Sequence, residues 1–246
     1  MKKLVFFIMM VAVTFIFAEV KIVLKSGEVI KVDVDPSQIA QIVFVPQQNY
    51  ILYEKTFNNL GDWKIGGRQE GVNKWEITNF KGEPCLHIHH EEFSEIIVYK
   101  WIKIPEGLSG KDIKVEIEMM GSARSEADSY SSFFSLAAVN IITNEQISVL
   151  DKWGNPSKGR IYWIRAGWVT SSYHKKHFLN GNYTEVRKFI ELSPVHAINK
   201  FVFTIPAKYT SNASYLFVEF MAYGSGWPYD LKADLWVNHI KVYVSQ

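Results

Sequence analysis

From Ile51 to the C-terminus the chain alternates apolar and polar residues in short runs, with almost no helical periodicity. Ile113-Lys-Val-Glu-Ile-Glu-Met119 is the clearest instance, a half-buried strand with Lys114, Glu116 and Glu118 on its wet face. Further strands are expected at Glu95–Ile104, Tyr130–Ile142, Gln146–Leu150, Arg160–Arg165, Thr184–Leu192, Lys200–Ile205, Tyr215–Tyr223 and Asp234–Val244. Pro105-Glu-Gly107, Gly154-Asn-Pro156, Asn180-Gly-Asn182, Pro206 and Gly224-Ser-Gly226 punctuate them. Strands and turns at this spacing predict an all-β, two-sheet β-sandwich or jelly roll. No repeat of fixed period and no low-complexity tract interrupts it.

The segments before Ile51 read differently. Lys2 and Lys3 precede an apolar run, Leu4 to Phe17, and Ala18 offers a small residue for cleavage, although Ile16 stands at the −3 position. The run is about 14 residues, short of the ~20 a spanning helix needs. Residues 1–18 are therefore expected to be a signal peptide, leaving no membrane span after cleavage. The destination would be the periplasm, the cell envelope or the extracellular space. Residues 19–46 suggest a small β-β-turn-β unit: Val20–Leu24, a Ser26-Gly27 turn, Val29–Val34, then Ile42–Val45. Residues 47–50 form a linker and 51–246 the sandwich.

Composition narrows the function classes. The chain has 27 basic and 25 acidic residues, so without Lys2 and Lys3 it is formally neutral. No basic stripe appears, which argues against nucleic acid as a partner. Cys85 is the single cysteine. It excludes an internal disulfide and any multi-cysteine metal site, and its strand context makes it a buried, inert thiol. Aromatic residues make up 15% of the chain, with eight Trp and twelve Tyr. That is enough to build a stacking surface as well as a core.

The opening of the long β region, Phe57-Asn-Asn-Leu-Gly-Asp-Trp63, and its close, Leu235-Trp-Val-Asn-His-Ile-Lys-Val242, bracket the sandwich. Together they resemble the two ends of carbohydrate-binding-module domains with the galactose-binding-like jelly-roll fold. The resemblance covers roughly Ile51 to Gln246. It implies terminal strands lying side by side, a polysaccharide or oligosaccharide partner, and a structural calcium ion near where those strands meet. The positions matching that calcium pattern are Asn58 and Asp234, with Glu54 nearby. The chain departs from the pattern at Asn58 and Asn238, where carboxylates would normally stand, and a calcium site prefers charged oxygens.

The residues themselves offer two binding candidates. In Tyr215–Tyr223, the residues Leu216, Val218, Phe220 and Ala222 make a core set, which turns Tyr215, Phe217, Glu219, Met221 and Tyr223 outward. In Glu95–Ile104 the same reasoning turns out Glu95, Ile97, Tyr99, Trp101 and Lys103, with Lys100 an awkward inward member. Rings beside a carboxylate suit a sugar, whose C–H face stacks on an aromatic plane while its hydroxyls bond to polar groups. Structural packing of the same face is the competing reading. The second candidate is the loop-rich segment Trp163–His174, expected with Trp153 before it to build the rim of a cleft, where Arg165 would supply a forked donor and Trp168 a platform, joined by Trp227 in a Gly-Trp-Pro loop.

His87 and His89 share one strand face, and His174 and His177 fall three apart. A zinc site wants three or four ligands and supporting groups behind them, so these histidines read as exposed strand residues. No carboxylate pair or nucleophile motif has a supported context. The expected function is non-catalytic carbohydrate binding by Tyr99, Trp101, Trp168 and Trp227, with Glu219 and Arg165 as polar contacts. Two alternatives stand beside it: a structural or assembly protein with a partner in the cell envelope, and a glycan-cleaving jelly-roll enzyme.

Overall fold

The computed structural model describes residues 20–23, 29–32, 49–67, 72–91, 94–125, 134–152, 154–170, 186–225 and 231–244. The chain divides into two compact units, Met1–Pro46 and Gln47–Gln246. In the first, β1 (Val20–Val23) and β2 (Val29–Val32) form an antiparallel ladder with Val20 opposite Val32. The expected signal peptide and the third strand at Ile42–Val45 lie outside the described residues.

The second unit is built from β3 (Tyr50–Thr56), β4 (Lys64–Gly66), β5 (Val72–Phe80), β6 (Glu83–Glu91), β7 (Ser94–Lys103), β8 (Ile113–Ser125) and β9 (Phe134–Asn144). It continues with β10 (Arg160–Val169), β11 (Arg187–Glu191), β12 (Asn199–Ile205), β13 (Tyr215–Ser225) and β14 (Leu231–Val244). Among the described residues there is no α-helix, and no helix long and apolar enough to cross a membrane. One sheet runs β12-β8-β14-β6-β5, with β3 also paired to β14; the other runs β11-β10-β9-β13-β7-β4. The expected two-sheet sandwich is present. Among the described residues all ladders are antiparallel except β10 with β11.

Alternation fixes which side chains meet between the sheets. Ile113, Val115, Ile117 and Met119 of β8 are fully buried, while Lys114, Glu116 and Glu118 stay half-exposed. Across the sandwich Leu216, Val218, Phe220 and Ala222 of β13 and Ile96, Val98, Ile102 and Ile104 of β7 join the same core. Each Val, Leu, Ile, Phe or Met side chain among them contributes about 1.5–3 kcal/mol by leaving water.

The bracket closes at β14. Lys232–Val237 pairs with β6, and His239–Val244 pairs with β3 on the same edge. Asn238 sits at the handover. Its backbone oxygen accepts from Phe57 N (2.8 Å), and its Nδ2 donates to Pro84 O (2.8 Å). A carboxylate there would have no proton to give to Pro84, which accounts for an amide at this position.

The stretch Gln146–Leu150, expected as a strand, is instead one arm of the long β9–β10 loop. Only a single bridge, Leu150 to Pro156, survives there. The loop closes on itself through Asp151 N to Asn155 O (2.7 Å), Asn155 N to Asp151 Oδ1 (3.0 Å) and Ser157 N to Val149 O (2.9 Å). Asn144 pins its base, donating to Gln146 O (2.6 Å) and Lys158 O (3.0 Å). These bonds satisfy backbone groups that a strand would have paired in a ladder.

Candidate functional site

The loop determines what the outer face of the β11-β10-β9-β13-β7-β4 sheet can do. Register places Phe189, Arg165, Asn140, Glu219, Tyr99 and Lys64 in one row across six strands. The neighbouring row is Arg187, Trp163, Ile142, Phe217 and Trp101. Register thus sets Arg165, Asn140 and Glu219 side by side in the first row and adds Trp163, Phe217 and Trp101 in the next.

The inner part of both rows is sealed. Arg165, Asn140, Glu219 and Phe217 are buried, and so is Asn155 of the loop above them. Asn140 is the hub: its Nδ2 donates to Glu219 Oε1 (3.1 Å), and its Oδ1 accepts from Trp163 Nε1 (3.1 Å) and from Arg165 Nε. Arg165 Nη2 reaches Asn155 Oδ1 of the loop at 3.4 Å, and the guanidinium lies 5.0 Å from the Trp163 ring centre. Burial pushes the Glu219 carboxyl well above its ordinary value, with Arg165 opposing the shift. Burial likewise pushes Arg165 down, but a guanidinium starts so high that it stays charged near neutral pH. At Gly154, where φ is +77°, an added Cβ would stand 2.7 Å from Ile97 Cδ1, so the bare backbone lets the loop reach β7.

The outer part is open. A cleft of about 790 Å³ lies between the loop (Ile147 to Lys152) and the β7–β4 edge, floored by Ile97, Tyr99 and Trp101. Its size falls within the range of small-molecule sites. Tyr99 and Trp101 are half-buried. Both rings lean on Phe217, with centres 5.5 and 4.8 Å away, and Trp101 also meets the edge of Tyr215 at 6.2 Å. Asp62, Lys64 and Lys100 supply charge along the wall, and Ile147 and Val149 expose apolar surface from the loop side. Lys100 resolves its awkward inward position by reaching the sandwich edge. Its ammonium meets Asp62 Oδ2 and lies 4.7 Å from the Tyr53 ring centre. That bond outweighs partial burial and holds the Asp62 carboxyl below its ordinary value.

The sequence-stated residues therefore separate. Tyr99 and Trp101 line the cleft, whereas Glu219 and Arg165 lie beneath the loop and not on the cleft wall. Trp168 is a correction. Its segment is strand β10, not a loop rim, and its parity with Ile164 and Ala166 turns it into the core, 5% exposed. Its ring fills the space left by Gly121, where a Cβ would come within 2.2 Å, and its Nε1 donates to Ser193 O (3.0 Å). Trp153 and Trp227 lie outside the described residues. Sequence reasoning missed Asp62 and Lys64 at the wall; they flank Trp63, Asp62 within the opening motif and Lys64 just after it, and that motif was read only for fold and for the calcium pattern at Asn58.

The calcium set does not assemble. Glu54 pairs with Lys241 near one end of β14 and its carboxylate is engaged by His239 (3.3 Å) and Lys241 (3.7 Å). Asp234 lies seven residues away along the strand, roughly 23 Å at strand rise. Asn58 Oδ1 accepts from Asn59. These residues do not fit one ion.

No family model matches the sequence, and no curated protein matches it. Among solved structures, TmCBM61 in complex with beta-1,4-galactotriose aligns with TM-score 0.38 and 7% identity, over 76% of this chain and 90% of that one. The xylan-binding module CBM15 aligns with TM-score 0.37 and 11% identity, over 81% and 99%. The chain is similar to carbohydrate-binding modules. A family 12 xyloglucanase from Bacillus licheniformis also aligns, with TM-score 0.32 and 7% identity over 79% and 100%. Likeness at this level is one of strand arrangement, and residue roles must come from the cleft itself.

Proposed function

We propose that this is an exported, non-catalytic carbohydrate-binding protein that holds a glycan in the cleft over β7 and β4. The observation that carries the reading is the pair Tyr99 and Trp101, half-exposed, backed by buried Phe217, and walled by Asp62, Lys64 and Lys100. A sugar ring presents a C–H face to such rings and hydroxyls to such charges. Export is supported by the Lys2-Lys3 and apolar start of the chain. The non-catalytic reading is supported by the carboxylates. A glycosidase acid has a raised pKa and touches the scissile bond. Glu219 has the raised pKa but is sealed under the loop; of the two carboxylates that line the cleft, Asp62 is held low by Lys100 and Asp151 is engaged within the loop, its Oδ1 accepting from Asn155 N.

Affinity electrophoresis against a polysaccharide panel is the test. Wild-type protein should be retarded by at least one glycan with a dissociation constant between micromolar and millimolar. Trp101→Ala, which removes one platform worth about 1.4 kcal/mol, should weaken that binding about tenfold, and Tyr99→Ala by a similar factor. Free migration through every glycan, or unchanged retardation of Trp101→Ala, would refute the proposal.

A further inference from the structure

The other sheet carries a second constellation, remote from the cleft and independent of the glycan reading. On the outer face of β6, His87 and His89 stand two residues apart, and Asp234 of β14 lies directly opposite His89. His87 Nε2 and His89 Nδ1 each lie 2.8 Å from the same oxygen, Asp234 Oδ1, and the three donor atoms fall within 4.8 Å of one another. The far nitrogen of each ring also meets a carboxylate: His87 Nδ1 is 3.4 Å from Glu76 Oε1, and His89 Nε2 is 3.1 Å from Glu91 Oε1. Trp236 stacks on His87 at 4.6 Å with the rings 3° from parallel, which fixes the imidazole plane.

This arrangement has an unbalanced proton count. A neutral imidazole has one N–H and one lone pair. Each ring here is held between two carboxylates, so one contact per neutral ring would set a lone pair against an oxygen. A divalent cation between His87 Nε2, His89 Nδ1 and Asp234 Oδ1 removes both conflicts at once. The inward lone pairs then bind metal, and the outward N–H groups donate to Glu76 and Glu91. A carboxylate behind each ligating histidine is the usual support of such sites. Each nitrogen, 2.8 Å from Asp234 Oδ1, needs to draw away from that oxygen by only about 0.5 Å for the pair to sit on a tetrahedral ion with bonds of ~2.0–2.1 Å. The ligand side chains are 16%, 20% and 21% exposed, so a fourth position opens to solvent.

We propose that His87, His89 and Asp234 form a binding site for one divalent transition cation of the zinc class, with Glu76 and Glu91 as positioning residues. Imidazole donors favour zinc and its neighbours over calcium or magnesium. The sequence shows two of the ligands but not the third, because Asp234 is more than 140 positions away and only the β6–β14 register brings it in.

Calorimetric titration of the full chain with ZnCl₂, paired with the visible spectrum of a Co²⁺ titration, decides the matter. One equivalent should bind, and Co²⁺ should show the ligand-field bands of an imidazole-containing, low-coordinate site. His89→Gln and Asp234→Asn should each weaken Zn²⁺ at least 100-fold, while Glu76→Gln and Glu91→Gln weaken it 10- to 100-fold. His239→Ala, in the other His-carboxylate cluster with Glu116 and Glu118, should leave the affinity unchanged. Three results would overturn the proposal: no binding by the wild-type chain, a Co²⁺ spectrum like that of the hydrated ion, or Zn²⁺ binding that survives in the His87→Gln/His89→Gln double variant. The wild-type measurements stand even if a variant fails to fold.

Discussion

Arg165→Met should lower the unfolding free energy by about 3–5 kcal/mol, the usual cost of removing one partner from a buried ion pair. Arg165 is 1% exposed and Glu219 is fully buried. Without the guanidinium, Glu219 loses the positive charge that opposes its burial, and Asn140 and Asn155 each lose a bonded donor. Adding Glu219→Gln should recover more than half of the loss, because the amide fits the same space and carries no charge. Urea denaturation of the two single variants and the double variant at pH 7 gives the coupling directly. Equal destabilisation of Arg165→Met with and without Glu219→Gln would show that the cation is not there to balance that carboxylate.

The same pair sets a pH dependence with a definite sign. The folded pKa of Glu219 is raised above its unfolded value. Its contribution to stability is therefore complete below the unfolded pKa of about 4.3 and declines as pH rises through the folded value. Between those two values the wild type should lose stability relative to Glu219→Gln by up to about 1.4 kcal/mol per pH unit. A parallel pair of stability–pH curves over that window would contradict the assignment.

How far the chain could be read in advance follows from what alternation encodes. Parity placed Ile96, Val98, Leu216, Val218 and Phe220 in the core correctly, because each strand has only two faces and one is apolar. Parity equally placed Tyr99, Trp101, Phe217 and Glu219 on the outer side. It does not say whether an outer face is wet. Here the β9–β10 loop, whose reach depends on Gly154 clearing Ile97, buries Phe217, Arg165 and Glu219 and leaves Tyr99 and Trp101 partly open. Trp168 was misread for a different reason. Its segment, Trp163–His174, reads in the sequence as a loop-rich cleft rim, so the parity that turns Trp168 inward was not applied. Likewise Asp234 joins His87 and His89 only through register, which is a property of paired strands and not of either strand alone.

Trp63→Ala should be as damaging as the loss of Arg165, at about 3–5 kcal/mol, and it tests why the opening motif matters. The Trp63 ring stacks on Phe220 (5.1 Å, 18°) and meets Phe57 edge-on (5.3 Å, 66°), while Phe57 meets Phe220 at 5.8 Å and 81°. Phe57 is bonded through its backbone to Asn238, so this trio ties the start of the sandwich, its last strand and β13 together. Trp63 Nε1 also donates to Tyr53 Oη at 2.9 Å. Trp63→Phe keeps a ring in the trio and loses that bond, so its cost should be far smaller, about 1–2 kcal/mol including the lost volume. A second readout separates the bond from the packing. Burial pushes the Tyr53 phenol up to about 12 against the opposing pull of the Trp63 bond. Removing the N–H donor in Trp63→Phe should raise the phenol further, visible as a delayed phenolate absorbance in alkaline titration. Tyr53 and Asp62 are within bonding distance (3.4 Å), and Asp62 holds Lys100 at the cleft wall. Glycan retardation of Trp63→Phe should therefore weaken modestly, by less than the tenfold expected for Trp101→Ala, since the wall loosens while the platform stays. If Trp63→Ala unfolds at the same urea concentration as wild type, the aromatic trio is not what joins the two ends of the sandwich.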